Sequence, residues 1–357
     1  MKLKDVCIKG TSNIRQKDVN DSGRYPVYGA AGPVGFMNSF QYDEPYVGVV
    51  KDGAGIGRAT YLPSNSSIIG TMQALIPKKN VLPKYLYYAV SSMHLEKYYS
   101  GATIPHIYFK NYKHERFVLV SKKEQEQIIW RFSLLEKMIS NKQQQLLKLD
   151  ELIKARFVEM FGDPVINSKK YPEKALANYI NFITSRSKHR PRNDPKLLGG
   201  KYPLIQTGEV SQSGLYIRNF SNTYSELGLK QSKLWPKDTL CITIAANIAS
   251  TSILTFNACF PDSVVGFISN EDKVKPVFLH YWFSFFQNII ESQATQVAQK
   301  NINLKVLSNL SVIHPPISLQ NEFADFVRQV DKSKVAVQKS LEETQKLYDS
   351  LMQEYFG

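Results

Sequence analysis

The chain closes the same way twice. "FVEMFG" ends at Phe161-Gly162, and "MQEYFG" ends at Phe356-Gly357, 195 positions later. At that offset Gln125 falls on Gln320, Ile128 on Phe323, Phe132 on Val327 and Leu135 on Val330. Further upstream, "LPKYLYYAVSS" from Leu82 matches "KPVFLHYWFSF" from Lys275, and "RYPVYG" from Arg24 matches "KYPLIQ" from Lys201 at an offset of 177. One order of features occurs twice, with the extra residues in the second copy. The period is far longer than a solenoid's, so the chain is a duplication of two domain-sized units.

Each unit reads as a globular head followed by a long helix. In the first helix Ile128, Phe132, Leu135, Ile139, Leu146, Leu149, Ile153, Phe157 and Met160 follow spacings of three and four, interrupted at Lys142. Shifted by 195, the frame reads Phe323, Val327, Val330, Lys334, Val337, Leu341, Thr344, Tyr348, Met352 and Tyr355. A sustained apolar seam is a coiled-coil signal, and about 40 helical residues make a rod near 60 Å. Two rods with one seam are expected to pack antiparallel about an approximate two-fold axis, with the heads at opposite ends. The expected parts are a head over 1–120, a helix over 121–161, a head over 162–317 and a helix over 318–357.

The net charge of +14 points to an anionic partner, nucleic acid before others. Residues 121–161 hold eight Lys/Arg and six Asp/Glu, and 318–357 hold five and seven, so the helices sum to zero. The first head holds fifteen basic and eight acidic side chains and the second seventeen and ten, giving +7 each. Two anion-binding heads on a neutral spacer account for that partition.

The heads read as mainly β, with strands such as "YPVYG", "YVGVV", "ATYL", "TLCITIA" and "SVVGFI" between Gly, Asn, Pro and Ser turns. One helix is expected in each, over 84–98 and 277–292. The string Gly53-Ala54-Gly55-Ile56-Gly57, flanked by Lys51 and Arg58, imitates a phosphate cradle. Such a cradle needs a helix directly after it, whereas Arg58-Ala59-Thr60-Tyr61-Leu62-Pro63 alternates like a strand, so the glycines mark a hairpin tip.

Signs of chemistry are weak. Asp262, Glu271 and Lys273 imitate the PD…ExK metal site of nucleases, and a stand-alone Mg-dependent nuclease is the alternative function. His314-Pro315-Pro316-Ile317 lacks the amide and the aromatic of a methyltransferase turn and suits a strand-to-helix connection. Cys7, Cys241 and Cys259 form no C-x-x-C pair, which implies neither a disulfide frame nor zinc and fits a reducing cytoplasm. No apolar run is long enough to span a membrane, and "MKLKDVCIKG" opens the chain without a secretory signal. No catalytic residue, cofactor site or metal site is expected on this chain.

Candidate DNA contacts lie in the heads. "TSRSKHRPRNDP" crowds Arg186, Lys188, His189, Arg190 and Arg192 into a Pro-broken loop suited to phosphates. Gln206, Asn247 and Gln296 are candidates for adenine, which Asn and Gln side chains read in the major groove. Tyr28, Lys51, Arg58 and Lys110 in the first head, with Lys230 and Lys300 in the second, complete the set.

Several strings together resemble the specificity subunit of type I restriction–modification systems, along essentially the whole chain. They are "GRYPVYGAAGPVGF", "VVKDGAGIGRATYL", "GATIPHIYFKNYK", "LLKLDELIKARFVEMFGDP", "PLIQTGEVSQSGLYI", "TYSELGLKQSKLWPKDTLCITIAANIA" and "ACFPDSVVGF". The resemblance implies an α+β fold: two pseudo-repeated, mainly-β target recognition domains, each followed by a long helix, the helices forming an antiparallel coiled coil. It implies that each head reads one half of a split double-stranded DNA site and that the helices set the gap and dock two methyltransferase subunits. S-adenosylmethionine would then act on those partners, which methylate adenine, while restriction subunits cleave DNA with ATP and Mg. In the second copy "CITIAANIASTSIL" stands where the first has "VVKDGAGIGRATYL". A cofactor loop would keep its glycines through a duplication; a loop facing different bases would not.

Overall fold

The structure, a computed structural model, describes all residues except 102–104, 184–193, 246–247, 271 and 296–303. It forms two compact units, Met1–Gln144 with Val337–Gly357, and Gln145–Ala336. Each unit holds one head and parts of both long helices.

The first head opens with α1 (Leu3–Val6) and β1 (Cys7–Gly10). There follow β2 (Tyr25–Gly29), β3 (Gly32–Met37), β4 (Tyr46–Val50), β5 (Ala59–Leu62), β6 (Ser67–Ile68) and β7 (Met72–Pro77). Then come α2 (Pro83–Ser91), α3 (Phe109–Tyr112) and the long helix α4 (Lys122–Phe161). The main sheet has the order β1-β7-β4-β5, antiparallel throughout, beside a smaller β3-β2-β6 sheet. β4 is buried along its whole length because alternate side chains serve two cores. Val47 and Val49 face the core built with α2 and α4, whereas Tyr46 and Val50 join Tyr42, Leu62, Ile68 and Met72.

The second head contains β8 (Glu173–Ala175), β9 (Ile180–Ile183), β10 (Leu198–Leu204), α5 (Thr207–Gln212), β11 (Tyr216–Ile217), β12 (Asn222–Tyr224) and α6 (Glu226–Leu229). It continues through β13 (Leu240–Thr243), β14 (Thr251–Leu254), β15 (Val264–Ser269), α7 (Pro276–Thr295), α8 (Leu304–Ser308) and β16 (Ser311–Ile313) into α9 (Ile317–Phe356). Its main sheet runs β11-β14-β13-β15-β9, the order of the first head with β11 added in parallel at one edge. The register repeats as well: Val47↔Leu75 and Val49↔Gln73 correspond to Leu240↔Phe267 and Ile242↔Val265. The extra residues of this copy lie between the counterparts of β2 and β4, where α5, β11, β12 and α6 form.

The expected helix over 84–98 is shorter. α2 ends at Ser91, and His94 takes a left-handed backbone (φ 50°) before a separate 3-10 turn over Leu95–Tyr98. The Ser92 hydroxyl, turned back onto the Ala89 carbonyl at 2.8 Å, is spent on the last turn. The helix expected over 277–292 is α7.

Within each unit α4 and α9 pack antiparallel. In the first, Phe132 meets Tyr348, and Lys142 donates to Ser340 O (3.0 Å) and Thr344 Oγ1 (2.5 Å). In the second, Lys334 pairs with Asp150, Arg156 with Glu322 (2.7 Å), and Phe161 packs on Phe323. Apolar burial is complete only near the heads: Phe132, Phe157, Phe323 and Val327 are buried, whereas Ile139, Leu146 and Leu341 are half-buried. Lys142 is therefore not a gap in the seam. Lys142 and Lys334 each extend from a seam position to a polar partner on the facing helix, the kind of contact that fixes register at some cost in apolar burial.

The repeated Phe-Gly endings now have a cause. Phe161, at the end of α4, packs edge-on against Phe278 of α7 at 4.9 Å. Phe356, at the end of α9, packs on Tyr85 of α2 at 5.3 Å. Each long helix thus ends in the core of the head encoded by the other repeat. Gly162 follows with φ +75°, the left-handed residue that stops a helix.

Candidate functional site

In the first head three chain segments converge on the β4–β5 loop. Gly53, Gly55 and Gly57 all have positive φ, as a tip between antiparallel strands requires. A Cβ at Gly57 would meet the Glu96 backbone nitrogen at 2.4 Å, while one at Gly53 would meet nothing, so the outer face of the tip is open. Arg58 donates across to the carbonyl of Ala30, in the β2–β3 turn. On the other side the loop is laced to the segment around His106. Gly53 N donates to Pro105 O (3.0 Å), Ile107 N to Lys51 O (2.9 Å), and Ser100 and His106 exchange backbone hydrogen bonds.

That lacing brings together Lys51, Asp52, Arg58, His106, Tyr108 and Lys110. His106 Nδ1 lies 2.6 Å from Asp52 Oδ1, the His106 ring stacks beside Tyr108, and the Lys110 ammonium sits 5.4 Å over the Tyr108 ring. Lys51 Nζ lies 3.9 Å from Asp52 Oδ2. Tyr108 is 49% exposed, an aromatic face held open among cations. Of the sequence candidates, Lys51, Arg58 and Lys110 belong here. Tyr28 is half-buried against the Tyr42–Tyr46 core, and its carbonyl accepts from Ile69 N. Asp52, His106 and Tyr108 escaped sequence reasoning because Asp52 and His106 are joined only by tertiary pairing.

The second head repeats the scaffold of this loop. Gly57 N donates to Val50 O at 2.8 Å; Ala249 N donates to Thr243 O at 2.9 Å, and Ala249 keeps a positive φ of 62° despite its Cβ. The closing hydrogen bond and its left-handed residue recur while the side chains change. Gln206 stands at the N-cap of α5, two residues past the end of β10, exposed and at the counterpart of Gly29 beside the turn that Arg58 reaches in the first head. Lys230, exposed at the end of α6, lies beside the small β10–β12 layer. Arg186, Lys188, His189, Arg190, Arg192, Asn247, Gln296 and Lys300 lie outside the described residues, as does Glu271.

Nothing in the structure favours the nuclease alternative. Asp262 precedes β15 and Lys273 follows it, at opposite ends of a six-residue strand of about 20 Å. Among the described residues no group of His, Cys, Asp and Glu could hold a metal. The cysteines are buried; burial pushes the Cys7 thiol up to about 12, Lys78 opposing, and Cys259 up to about 11. Neither is a poised nucleophile. Among the described residues no helix is long and apolar enough to cross a membrane.

Known proteins share this architecture. The fold is similar to the S subunit of the type I restriction-modification system from M. genitalium (TM-score 0.66, 16% identity, covering 100% of this chain and 95% of that one). It is also similar to a chain solved to explain complex assembly and conformational transition of the type I R-M system (TM-score 0.58, 14% identity, 100% and 96%). A Methanocaldococcus jannaschii protein assigned as the type I restriction enzyme MjaX specificity subunit is 22% identical over 298 residues, 78% of this chain and 68% of its own. The family model of the type I restriction modification DNA specificity domain matches residues 1–151 and 179–346, one match on each repeat. The chain belongs to the family of type I restriction modification DNA specificity domains.

Proposed function

We propose that each head of this specificity subunit reads one half of a bipartite double-stranded DNA site, and that the helices hold partner subunits that act on the bound DNA. The observation that carries this is a repeated scaffold with unrepeated loops. Sheet order, register and the loop-closing hydrogen bond recur in both heads, each head carries +7, and "KDGAGIG" is replaced by "IAANIA". Phosphate contacts from the basic side chains supply affinity, and the differing loops supply sequence preference.

The partners are two modification subunits, which bind S-adenosylmethionine and methylate adenine, and restriction subunits, which use ATP and Mg to cleave. This chain contributes no catalytic group and works with them in the cytoplasm. An exposed stripe on α4 suits the first of these partners. Trp130, Leu134 and Met138 stand four apart on one face of a helix whose opposite face is already packed, and Trp130 is 65% exposed. At the matching positions α9 carries Asp325, Gln329 and Ser333, so the two docking faces differ.

Sequencing methylated adenines in host DNA with and without this gene tests the function. The expected result is one bipartite motif, methylated only when the gene is present. Methylation independent of the gene, or an unsplit motif, would overturn it.

A further inference from the structure

We propose that Asp52 and His106 form a base-reading pair in the first head, with His106 meeting a base edge and Asp52 positioning its ring. The inference rests on the DNA-reading function proposed above and goes beyond it by assigning specificity to two side chains.

A carboxylate is out of place on a face meant for phosphate unless it has a task. Asp52 stands among Lys51, Arg58 and Lys110, and its carboxylate is taken up by His106 Nδ1 at 2.6 Å and by Lys51 at 3.9 Å. A carboxylate on one imidazole nitrogen fixes the ring's orientation and tautomer and leaves Nε2 as its remaining polar atom. In the neutral ring Nε2 accepts a hydrogen bond, which matches the exocyclic amino group of adenine or cytosine in the major groove. The ring is also held from behind: the backbones of Asp52 and His106 bridge directly, and His106 is tied to Ser100 on its other side. Both side chains stay partly open, 27% for Asp52 and 35% for His106. Tyr108 lies beside the imidazole with its ring nearly parallel.

The duplication separates reading from folding. The backbone hydrogen bonds that close the loop persist in the second copy, at Ala249 and Thr243. The pair does not: Ala245 stands at the offset of 193 that places β13 on β4, and Asn301 stands 195 residues on from His106. Both members are replaced together, as expected of groups that act as a unit on one half-site. A pair needed to build the head would have been kept.

The test uses the full chain in complex with its modification subunits and a random-sequence duplex pool, comparing the unaltered chain with His106→Ala, His106→Gln and Asp52→Asn. We expect His106→Ala to relax preference at one position of one half-site by about five-fold, the scale of one hydrogen bond. Asp52→Asn should relax the same position, His106→Gln should restore part of the preference, and the other half-site should stay intact as an internal control of folding. Unchanged preferences, relaxation of both half-sites, or uniform loss of binding would overturn the pair's role. If the unaltered chain selects no bipartite site, the proposed function itself falls and takes this inference with it.

Discussion

Gln125 and Gln320, fully buried in the first turns of α4 and α9, make the same hydrogen bonds in the two repeats. Gln125 Oε1 accepts from Leu82 N at 2.8 Å, and its Nε2 donates to Asn80 O and Val120 O, both at 3.0 Å. Gln320 Oε1 accepts from Lys275 N at 2.9 Å, and its Nε2 donates to Pro315 O at 3.0 Å and Lys273 O at 3.4 Å. One carboxamide thus binds the entry to the head's helix and the entry to the long helix together, and only an amide offers both an acceptor and two donors there.

Replacing either glutamine by leucine strips three backbone groups of their partner at nearly unchanged volume. Gln125→Leu and Gln320→Leu should each destabilise the fold by about 3 kcal/mol, since each buried group left unsatisfied costs about 1–3 kcal/mol. Urea unfolding measures this. A loss under about 1 kcal/mol at either site, relative to the cost scale of a single unsatisfied group, would show that the carboxamide is not the fastener.

His280 on α7 sets a pH dependence. Its Nδ1 lies 3.0 Å from Thr251 Oγ1, and burial, with the Lys334 charge adding to it, pushes its pKa down to about 4. The unfolded chain, near the ordinary value of about 6.5, takes up the proton first as pH falls, so stability present above that value is lost between about 6.5 and 4. The loss is up to about 3 kcal/mol, because each tenfold difference in proton affinity between the folded and unfolded chain is worth about 1.4 kcal/mol. His280→Gln should flatten this slope in melts taken across that range; an unaltered slope would remove His280 as its source.

Trp130→Asp should separate DNA binding from methylation. The substitution places a charge on the exposed stripe without touching the heads. Binding of the site by the chain should stay within about two-fold, while co-purification with modification subunits and adenine methylation should fall at least about ten-fold, the scale of a truncated interface anchor. Methylation at the unaltered rate would place the docking face elsewhere.

Much of this fold was legible in the sequence because duplication supplies its own comparison. The Phe161/Phe356 endings, the Gln125/Gln320 alignment and the buried strands at Tyr46 and Leu240 could all be read from repeated spacing. Their physical roles could not. That Phe161 enters the other repeat's head, and that Gln125 meets Leu82 and Asn80, are contacts between residues distant in sequence. Lys142 read as a break in the apolar frame because periodicity records hydrophobicity and not the hydrogen bonds a lysine reaches across a seam. The site was read in part. Lys51, Arg58 and Lys110 stand out as charge, but Asp52 and His106 become neighbours only when Pro105–Ile107 pairs with the glycine loop. Lys230 lies at the end of α6 beside the β10–β12 layer, a placement that spacing alone does not give.

The most direct test of two heads reading independently is to replace residues 162–317 with the second head of another family member and to map the methylated sites in host DNA. One half of the motif should change to that of the donor while the other half stays as it was. A motif altered in both halves, or in neither, would contradict the account.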